Sequence, residues 1–152
     1  MLDLYEELKR LVGALDAEGA EYALCGGLAM AVHGHVRATV DIDLLVVPES
    51  IERAKEICRT LGFVFEARTM LFAEGAVRIE RMTASGQSGE LSIDLIVVNE
   101  ATRGAWETRT VVAWEDLRVP VVSRRGLIAL KRLRASAQDI ADIERLEASD
   151  AH

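Results

Sequence analysis

The chain has 152 residues, a formal net charge of −7, and half of its residues are hydrophobic. This composition predicts one folded domain over residues 1–152 and excludes an intrinsically disordered chain. The negative charge argues against a protein that coats DNA or RNA by neutralising phosphates. No apolar run approaches membrane-spanning length and the N-terminal residues do not resemble a signal peptide, so we expect a cytoplasmic protein without a membrane partner.

The cysteines and the basic residues exclude some sites and suggest another. Cys25 and Cys58 lack CxxC spacing, so neither a zinc site nor a disulfide framework is predicted, and we expect reduced, partly buried thiols. Residues 117–138 contain six arginines and lysines and no acidic residue. Such a patch on an acidic protein suits a polyphosphate ligand or one RNA end, whereas a solvated helix face is the alternative.

Capping signals and hydrophobic periodicity predict the elements in chain order. Helices are predicted between Asp3 and Gly19, at residues 28–33 and 50–61, and after the capping residues Ser123 and Ser136. Strands are predicted at residues 22–25, 40–47, 63–66, 70–73, 77–82, 91–98, 110–113 and 118–122, with a hairpin loop at 84–89. Residues 100–110 are ambiguous. The order predicts an α+β fold, with a mixed β-sheet flanked by helices and with C-terminal helices.

Two strands carry acidic residues opposite an apolar face. Side chains alternate between the two faces of a strand, so Asp41 and Asp43 share one face, with their backbones roughly 7 Å apart. In the later strand Asp94 lies on the face opposite the apolar residues. The residues expected to point into the core are Val40, Ile42, Leu44 and Val46 in the first strand, and Leu91, Ile93, Leu95 and Val97 in the second. The last helix is expected to bury Ile140, Ile143 and Leu146.

Neighbouring carboxylates of this kind favour a divalent cation. Two of them repel by roughly 3 kcal/mol at about 5 Å and an effective dielectric constant of about 20. Carboxylate oxygens suit Mg²⁺ or Mn²⁺, and three carboxylates can hold two such ions for phosphoryl transfer. Gly26 and Gly27 follow the short strand at 22–25 and allow the backbone to approach phosphate oxygens closely.

The arrangement of these residues resembles a known family. Residues 26–43 read Gly-Gly-x-Ala-x-x-x-x-Gly-x-x-Arg-x-Thr-x-Asp-Ile-Asp, and residues 131–146 contain Lys followed by Asp-x-x-Asp-x-x-x-Leu. Together with the later Asp strand, the pattern resembles the nucleotidyltransferase superfamily, which has the fold of DNA polymerase beta. More narrowly, it is similar to small bacterial members related to the toxins of type IV abortive-infection toxin–antitoxin systems, over residues 21–146.

The resemblance implies an activity and a set of site residues. A nucleoside monophosphate would pass from a nucleoside triphosphate, such as ATP, to a hydroxyl acceptor, with release of pyrophosphate. The implied catalytic and metal-binding residues, which would hold two Mg²⁺ or Mn²⁺ ions, are Asp41, Asp43 and Asp94. The implied nucleotide-binding residues are Gly26, Gly27, Arg37, Thr39 and Lys131. The family's Arg-Lys-Asp before the final helix is here Ala137-Gln138-Asp139, so a basic contribution is missing there.

The acceptor and the partners stay open at this stage. A toxin-like enzyme would modify tRNA or a protein, whereas a resistance enzyme would modify a hydroxyl of a lincosamide or aminoglycoside antibiotic. A catalytically silent nucleotide-binding module is a further alternative. Because the chain is small, we expect a second copy, a cognate partner protein or a large substrate to complete the site. His33 and His35 are not expected to bind metal, and Trp106 and Trp114 are expected in the core.

Overall fold

The computed structural model describes residues 3–86 and 89–148. Within these residues, eight strands form one mixed sheet in the order β3-β5-β6-β2-β1-β8-β7, with β4 paired to β5. The strands are β1 (Tyr22–Cys25), β2 (Asp41–Val46), β3 (Phe65–Glu66), β4 (Met70–Phe72), β5 (Val77–Gly86), β6 (Gly89–Val97), β7 (Thr110–Trp114) and β8 (Leu117–Val121). The helices are α1 (Leu4–Ala17), α2 (Gly26–Val32), α3 (Ile51–Thr60), α4 (Arg103–Glu107), α5 (Arg124–Arg134) and α6 (Ala137–Ala148). The predicted α+β fold with a mixed sheet is confirmed.

The core lies on the sheet face that α1 and α3 cover. These helices contact each other, α1 also contacts β2, and α3 contacts β5 and β6. The residues predicted to point into the core from the two acidic strands are buried, namely Ile42, Leu44, Val46, Leu91, Ile93, Leu95 and Val97. Val40 is the exception, since it precedes β2 and is 60% exposed. None of the described helices has the length and apolar composition that crossing a membrane requires.

Side-chain caps begin three of the helices as predicted. The Asp3 carboxylate accepts hydrogen bonds from the amides of Tyr5 and Glu6, and the Ser123 hydroxyl accepts one from the Gly126 amide. Before α6, Ser136 and Asp139 bond reciprocally, each side chain accepting from the other residue's backbone amide. These bonds satisfy amides that the first helical turn leaves without partners.

The hairpin between β5 and β6 is longer than predicted. Residues 84–89 were expected to form a loop, yet the ladder continues through the pair Ala84 and Leu91 to the pair Gly86 and Gly89. The ladder continues because Ala84 and Leu91 are buried on the core face and the Thr83 and Ser92 hydroxyls bond across the strands at 3.2 Å. Residues 87 and 88 of the predicted loop lie outside the described residues.

The helices differ from the prediction at two places, and one helix lies where the sequence made no prediction. Helix α2 begins at Gly26 rather than residue 28, because Gly26 adopts a φ of +66° and turns the chain directly from strand to helix. Residues 100–110, which were ambiguous, contain the short helix α4. Ile140 was predicted to face the core but is 51% exposed. The inner face of α6 is formed by Asp139, Asp142 and Leu146, which are buried, and by Ile143, which is partly buried.

The cysteines and tryptophans are buried to different degrees. Cys25 and Cys58 are free, as predicted, but are fully rather than partly buried. Trp106 is buried against the Arg109 guanidinium, whose central carbon lies 3.7 Å from the ring centroid. Trp114 is partly buried and packs edge-to-face on Tyr5.

Candidate active site

Three aspartates converge on the sheet face opposite the one covered by α1 and α3. Strands β2 and β6 are parallel neighbours, and their register places Asp43 directly opposite Asp94 and Asp41 opposite Ser92. Backbones of neighbouring strands lie about 4.8 Å apart, so the side chains of such a pair are adjacent. Asp94 is 1% exposed, whereas Asp41 and Asp43 are partly buried. The structure therefore brings together the three carboxylates that the sequence analysis selected.

An arginine that the sequence analysis did not select holds one of these carboxylates. Arg81 in β5 pairs in antiparallel register with Asp94. Its Nε donates to Asp94 Oδ1 at 2.7 Å and its Nη2 donates to Oδ2 at 2.9 Å. The same guanidinium lies 3.8 Å from Asp41 Oδ2. The contact is therefore a two-pronged ion pair at the centre of the acidic cluster.

The acidic cluster shifts the protonation of its own members. Burial, followed by the charges of Asp94 and Asp41, raises the pKa of Asp43 to about 7. Burial and the Asp94 charge also raise the pKa of Asp41, and the Arg81 charge opposes that shift. Arg134 and Lys131 act in the opposite direction on the pKa of Asp43. Negative charge is therefore costly at this point of the sheet, and a bound cation would offset the cost.

The donor set fits a hard divalent cation. Asp41, Asp43 and Asp94 offer oxygen ligands of the kind that Mg²⁺ and Mn²⁺ prefer. In the conformation observed for residues 3–86 and 89–148, no three His, Cys, Asp or Glu side chains already form a metal-binding cluster. The Asp94 oxygens instead face Arg81.

The two glycines after β1 lie against the residues of the acidic strand. A Cβ added to Gly26 would lie 2.7 Å from Asp43 Cβ, and one added to Gly27 would lie 2.9 Å from Thr39 Cβ. Atoms that are not bonded to each other do not approach so closely, so only glycine fits at either position. Gly26 and Gly27 thus place the backbone at the start of α2 directly beside Asp43 and Thr39.

A buried ion network joins the C-terminal helices to the segment before β2. The Asp142 carboxylate, which has no exposed side-chain surface, accepts from Lys131 Nζ at 2.8 Å. It also accepts from Arg37 through Nε at 3.1 Å and through Nη2 at 3.0 Å, and from Gln138 at 2.9 Å. Two cations from different parts of the chain therefore neutralise one buried carboxylate. Lys131, Asp139 and Asp142, which form the C-terminal sequence pattern, are also in contact in space, since Lys131 Nζ lies near both carboxylates.

Arg134 supplies a positive charge close to the place before α6 where the family's basic residues are missing. Arg134, at the end of α5, donates from Nε to Asp139 Oδ2 at 3.1 Å. Arg134 lines the same cavity as Asp43, and its charge acts to lower the pKa of Asp43. A positive charge is therefore present near the acidic cluster, although Ala137 and Gln138 carry none.

A cavity between the sheet and α5 connects several of these residues. Its lining includes Gly26 and the charged residues Asp43, Lys131, Arg134 and Asp139. Its remaining wall is apolar and consists of Cys25, Val77, Ile79, Ile96, Leu127 and Leu130. The cavity thus combines charged and apolar lining, which suits a ligand with an ionic part and a hydrophobic part.

The selected residues Gly27, Arg37 and Thr39 do not line this cavity. Arg37 binds Asp142 and the Ala38 carbonyl oxygen, and Thr39 packs on Gly27. His33 Nε2 lies 3.0 Å from the Val122 carbonyl oxygen. Arg37 and Thr39 therefore support residues beside the cavity, and their predicted contact with a nucleotide stays a prediction.

Comparison with known proteins places this geometry in a family. The family described as nucleotidyl transferase AbiEii toxin, type IV TA system, matches residues 9–150. The comparison with curated proteins gave no match.

Solved structures share the fold at low sequence identity. The lincosamide antibiotic adenylyltransferase LnuA, bound to lincomycin, matches with a TM-score of 0.62 and 18% identity over 93% of this chain and 95% of its own. ANT(2")-Ia, in complex with adenylyl-2"-tobramycin, matches with a TM-score of 0.61 and 16% identity over 95% and 87%. TM1012 of Thermotoga maritima, a candidate nucleotidyltransferase, matches with a TM-score of 0.59 and 15% identity over 97% and 88%. These likenesses show the nucleotidyltransferase fold, and by its family match the chain belongs to the AbiEii nucleotidyltransferases.

Proposed function

We propose that this nucleotidyltransferase transfers a nucleoside monophosphate from a nucleoside triphosphate to a hydroxyl of tRNA or of a protein. The observation that carries the proposal is the convergence of Asp41, Asp43 and Asp94 on one sheet face beside Gly26. The family's toxins belong to a type IV toxin–antitoxin system, so a cognate antitoxin is the expected partner. The toxin-like resemblance of the sequence is the reason for proposing a macromolecular acceptor. We place the reaction in the cytoplasm, where nucleoside triphosphates are available.

Two Mg²⁺ ions, for which Mn²⁺ can substitute, are proposed as the cofactors. Asp41 and Asp43 would bind both ions and Asp94 one of them, and the ions would neutralise the triphosphate and assist ionisation of the acceptor hydroxyl. The acceptor oxygen forms a bond to the α-phosphorus, the bond to the β-phosphate oxygen breaks, and pyrophosphate leaves. Asp94 accepts the proton of the hydroxyl, which keeps the reaction balanced.

The residues around the carboxylates would orient the nucleotide. Gly26 and Gly27 would allow the backbone beside Asp43 to approach the phosphates, and Lys131, which lines the cavity, would add positive charge. Arg37 holds the Asp142 carboxylate that also binds Lys131, and Thr39 supports Gly27. The apolar lining of the cavity suits a nucleobase, with ATP as the first candidate.

An antibiotic acceptor is the second candidate, because two proteins that share the fold bind such compounds. LnuA is a lincosamide antibiotic adenylyltransferase bound to lincomycin, and ANT(2")-Ia is in complex with adenylyl-2"-tobramycin. The family match favours the macromolecular acceptor, since it covers residues 9–150 and its toxins belong to a toxin–antitoxin system. The two candidates share the same carboxylates and differ only in the hydroxyl that attacks.

The test is transfer of α-phosphate label from each nucleoside triphosphate, with Mg²⁺, into a cell extract separated into RNA, protein and small molecules. Parallel reactions contain lincomycin or tobramycin as the acceptor. We expect label in RNA or protein that Asp41→Asn and Asp43→Asn abolish, whereas Asp116→Asn, at a side chain 66% exposed and paired with Lys9, leaves it unchanged. Label in an antibiotic would support the second candidate. Nucleotide binding without transfer to any acceptor would contradict both candidates and support a silent binding module.

A further inference from the structure

The contact between Arg81 and Asp94 points to a role for Arg81 in loading the site. We propose that Arg81 is a displaceable cation, which neutralises Asp94 before the site is loaded and binds the triphosphate once divalent cations take its place. The proposal rests on the proposed function, because it requires that Asp94 binds a cation and that the ligand is a triphosphate.

The first argument is that Arg81 uses both oxygens of Asp94. The donor–acceptor distances of 2.7 and 2.9 Å are those of a charge-assisted, two-pronged pair. A cation that takes an Asp94 oxygen as a ligand competes with the guanidinium for the same lone pairs. Binding of the cation and release of Arg81 are therefore linked, and each weakens the other.

The second argument is that Arg81 has room to leave, whereas Asp94 does not. The Asp94 side chain is 2% exposed, while the Arg81 side chain is 35% exposed. Asp94 lies in the middle of β6, between two paired strands. When the pair separates, Arg81 is therefore the partner that moves.

The third argument is that the displaced guanidinium would lie beside the bound triphosphate. Arg81 lies on the face of the sheet that carries Asp41 and Asp94, and its guanidinium already lies 3.8 Å from Asp41 Oδ2. A guanidinium presents five donors in a planar fork, which matches phosphate oxygens as well as it matches a carboxylate. A triphosphate that binds beside the aspartates brings more negative charge than Asp94 alone, so the freed Arg81 has a stronger partner there.

The test separates binding of the metal from binding of the phosphate. Calorimetric titration at pH 8 measures the affinity of metal-free protein for Mn²⁺, and then the affinity of the Mn²⁺-saturated protein for inorganic tripolyphosphate. The variants are Arg81→Gln and Arg81→Met, with Arg78→Gln as the matched control. Arg78 lies on the same strand and donates twice to a buried carboxylate, from Nε at 3.2 Å and from Nη2 at 2.9 Å, both to Oε1 of Glu80.

We expect the Arg81 substitutions to change the affinities for Mn²⁺ and for tripolyphosphate in opposite directions. Both Arg81 variants should bind Mn²⁺ about threefold to tenfold more tightly, because a competing cation is gone, and tripolyphosphate about tenfold more weakly. A purely structural role would weaken both affinities and lower the melting temperature. Unchanged or weaker Mn²⁺ binding in a folded Arg81 variant would overturn the proposal while leaving transfer by the wild type intact. No Mn²⁺ binding by the wild type would instead overturn both this proposal and the metal-dependent function.

Discussion

Gly26 and Asp43 are packed so closely that no side chain fits between them: a Cβ on Gly26 would lie 2.7 Å from the Cβ of Asp43. The backbone of Gly26 also has a φ of +66°, in a region that other residues adopt at a cost. This glycine is therefore required twice, for its conformation and for its contact with the acidic strand.

Gly26→Ala should consequently lower both stability and transfer. We expect a loss of about 2–4 kcal/mol in the free energy of unfolding, measured by urea denaturation, because the clash includes a Cβ that cannot rotate away. The control is Gly13→Ala in α1, where an added Cβ meets nothing within 4 Å. That change should stabilise the protein by about 0.5–1 kcal/mol. Equal effects of the two substitutions would show that the contact with Asp43 is unimportant.

Loss of the Asp43 proton should make the metal-free protein less stable as pH rises. Its pKa is about 7 in the folded protein, above the ordinary value of 3.8, so between these values the folded state binds more protons than the unfolded state. The free energy of unfolding therefore falls as pH rises from about 4 to about 7, by an amount on the order of 2 kcal/mol. Asp43→Asn should remove this fall, and Mg²⁺ should stabilise the wild type more at pH 8 than at pH 5.

Asp116 provides the control for this pH dependence. Hydrogen bonds from Lys9 and Tyr5 lower the pKa of Asp116 to about 2. The contribution of Asp116 to stability is therefore lost only at more acidic pH. Asp116→Asn should leave the pH dependence of the free energy of unfolding unchanged between pH 5 and pH 8. A wild-type slope that persists in Asp43→Asn would mean that another group titrates.

The acidic cluster could be predicted because alternation along a strand is a local property. The positions of Asp41, Asp43 and Asp94 within their strands determine which face each occupies, whichever strands are neighbours. Arg81 could not be selected in the same way. Its contact with Asp94 depends on the antiparallel register of β5 and β6, which pairs residues 13 apart in sequence.

The C-terminal helices show a limit of hydrophobic periodicity. The apolar residues of α6 predicted that Ile140 faces the core, but Asp139 and Asp142 occupy the buried face instead. Carboxylates can be buried there because α5 supplies Lys131 and Arg134, and the segment before β2 supplies Arg37. Such neutralisation is a tertiary effect, which one helix considered alone does not reveal.

Neither cysteine should react in the folded protein. Burial raises the pKa of Cys58 to about 12 and raises that of Cys25 well above its ordinary value. Because the thiolate is the reactive species, a thiol reagent such as DTNB should label neither residue at pH 8 over about an hour, and both after unfolding in urea. Rapid labelling of one thiol in the native protein would show that its region opens readily.

Loss of Asp142 should destabilise the protein far more than loss of a surface acid on the same helix. Among the described residues, Asp142→Ala leaves the buried Lys131 ammonium, which is 5% exposed, with the Asp139 oxygen at 3.8 Å as its one ion-pair partner, and it also releases Arg37. We expect a loss of about 3 kcal/mol in the free energy of unfolding, because an uncompensated buried charge remains. The control is Glu147→Ala, which breaks an exposed pair with Arg132 and should cost at most about 0.5 kcal/mol.

A double-mutant cycle tests whether the cost arises from the charge. Adding Lys131→Met to Asp142→Ala removes the unpaired cation, so the double variant should lose less stability than the two single losses added together. Additive losses, measured by urea denaturation, would show that Asp142 and Lys131 are energetically independent. Coupling would establish that the buried pair acts as a unit, and since Arg37 shares the same carboxylate, the unit joins α5 and α6 to the chain that leads into β2.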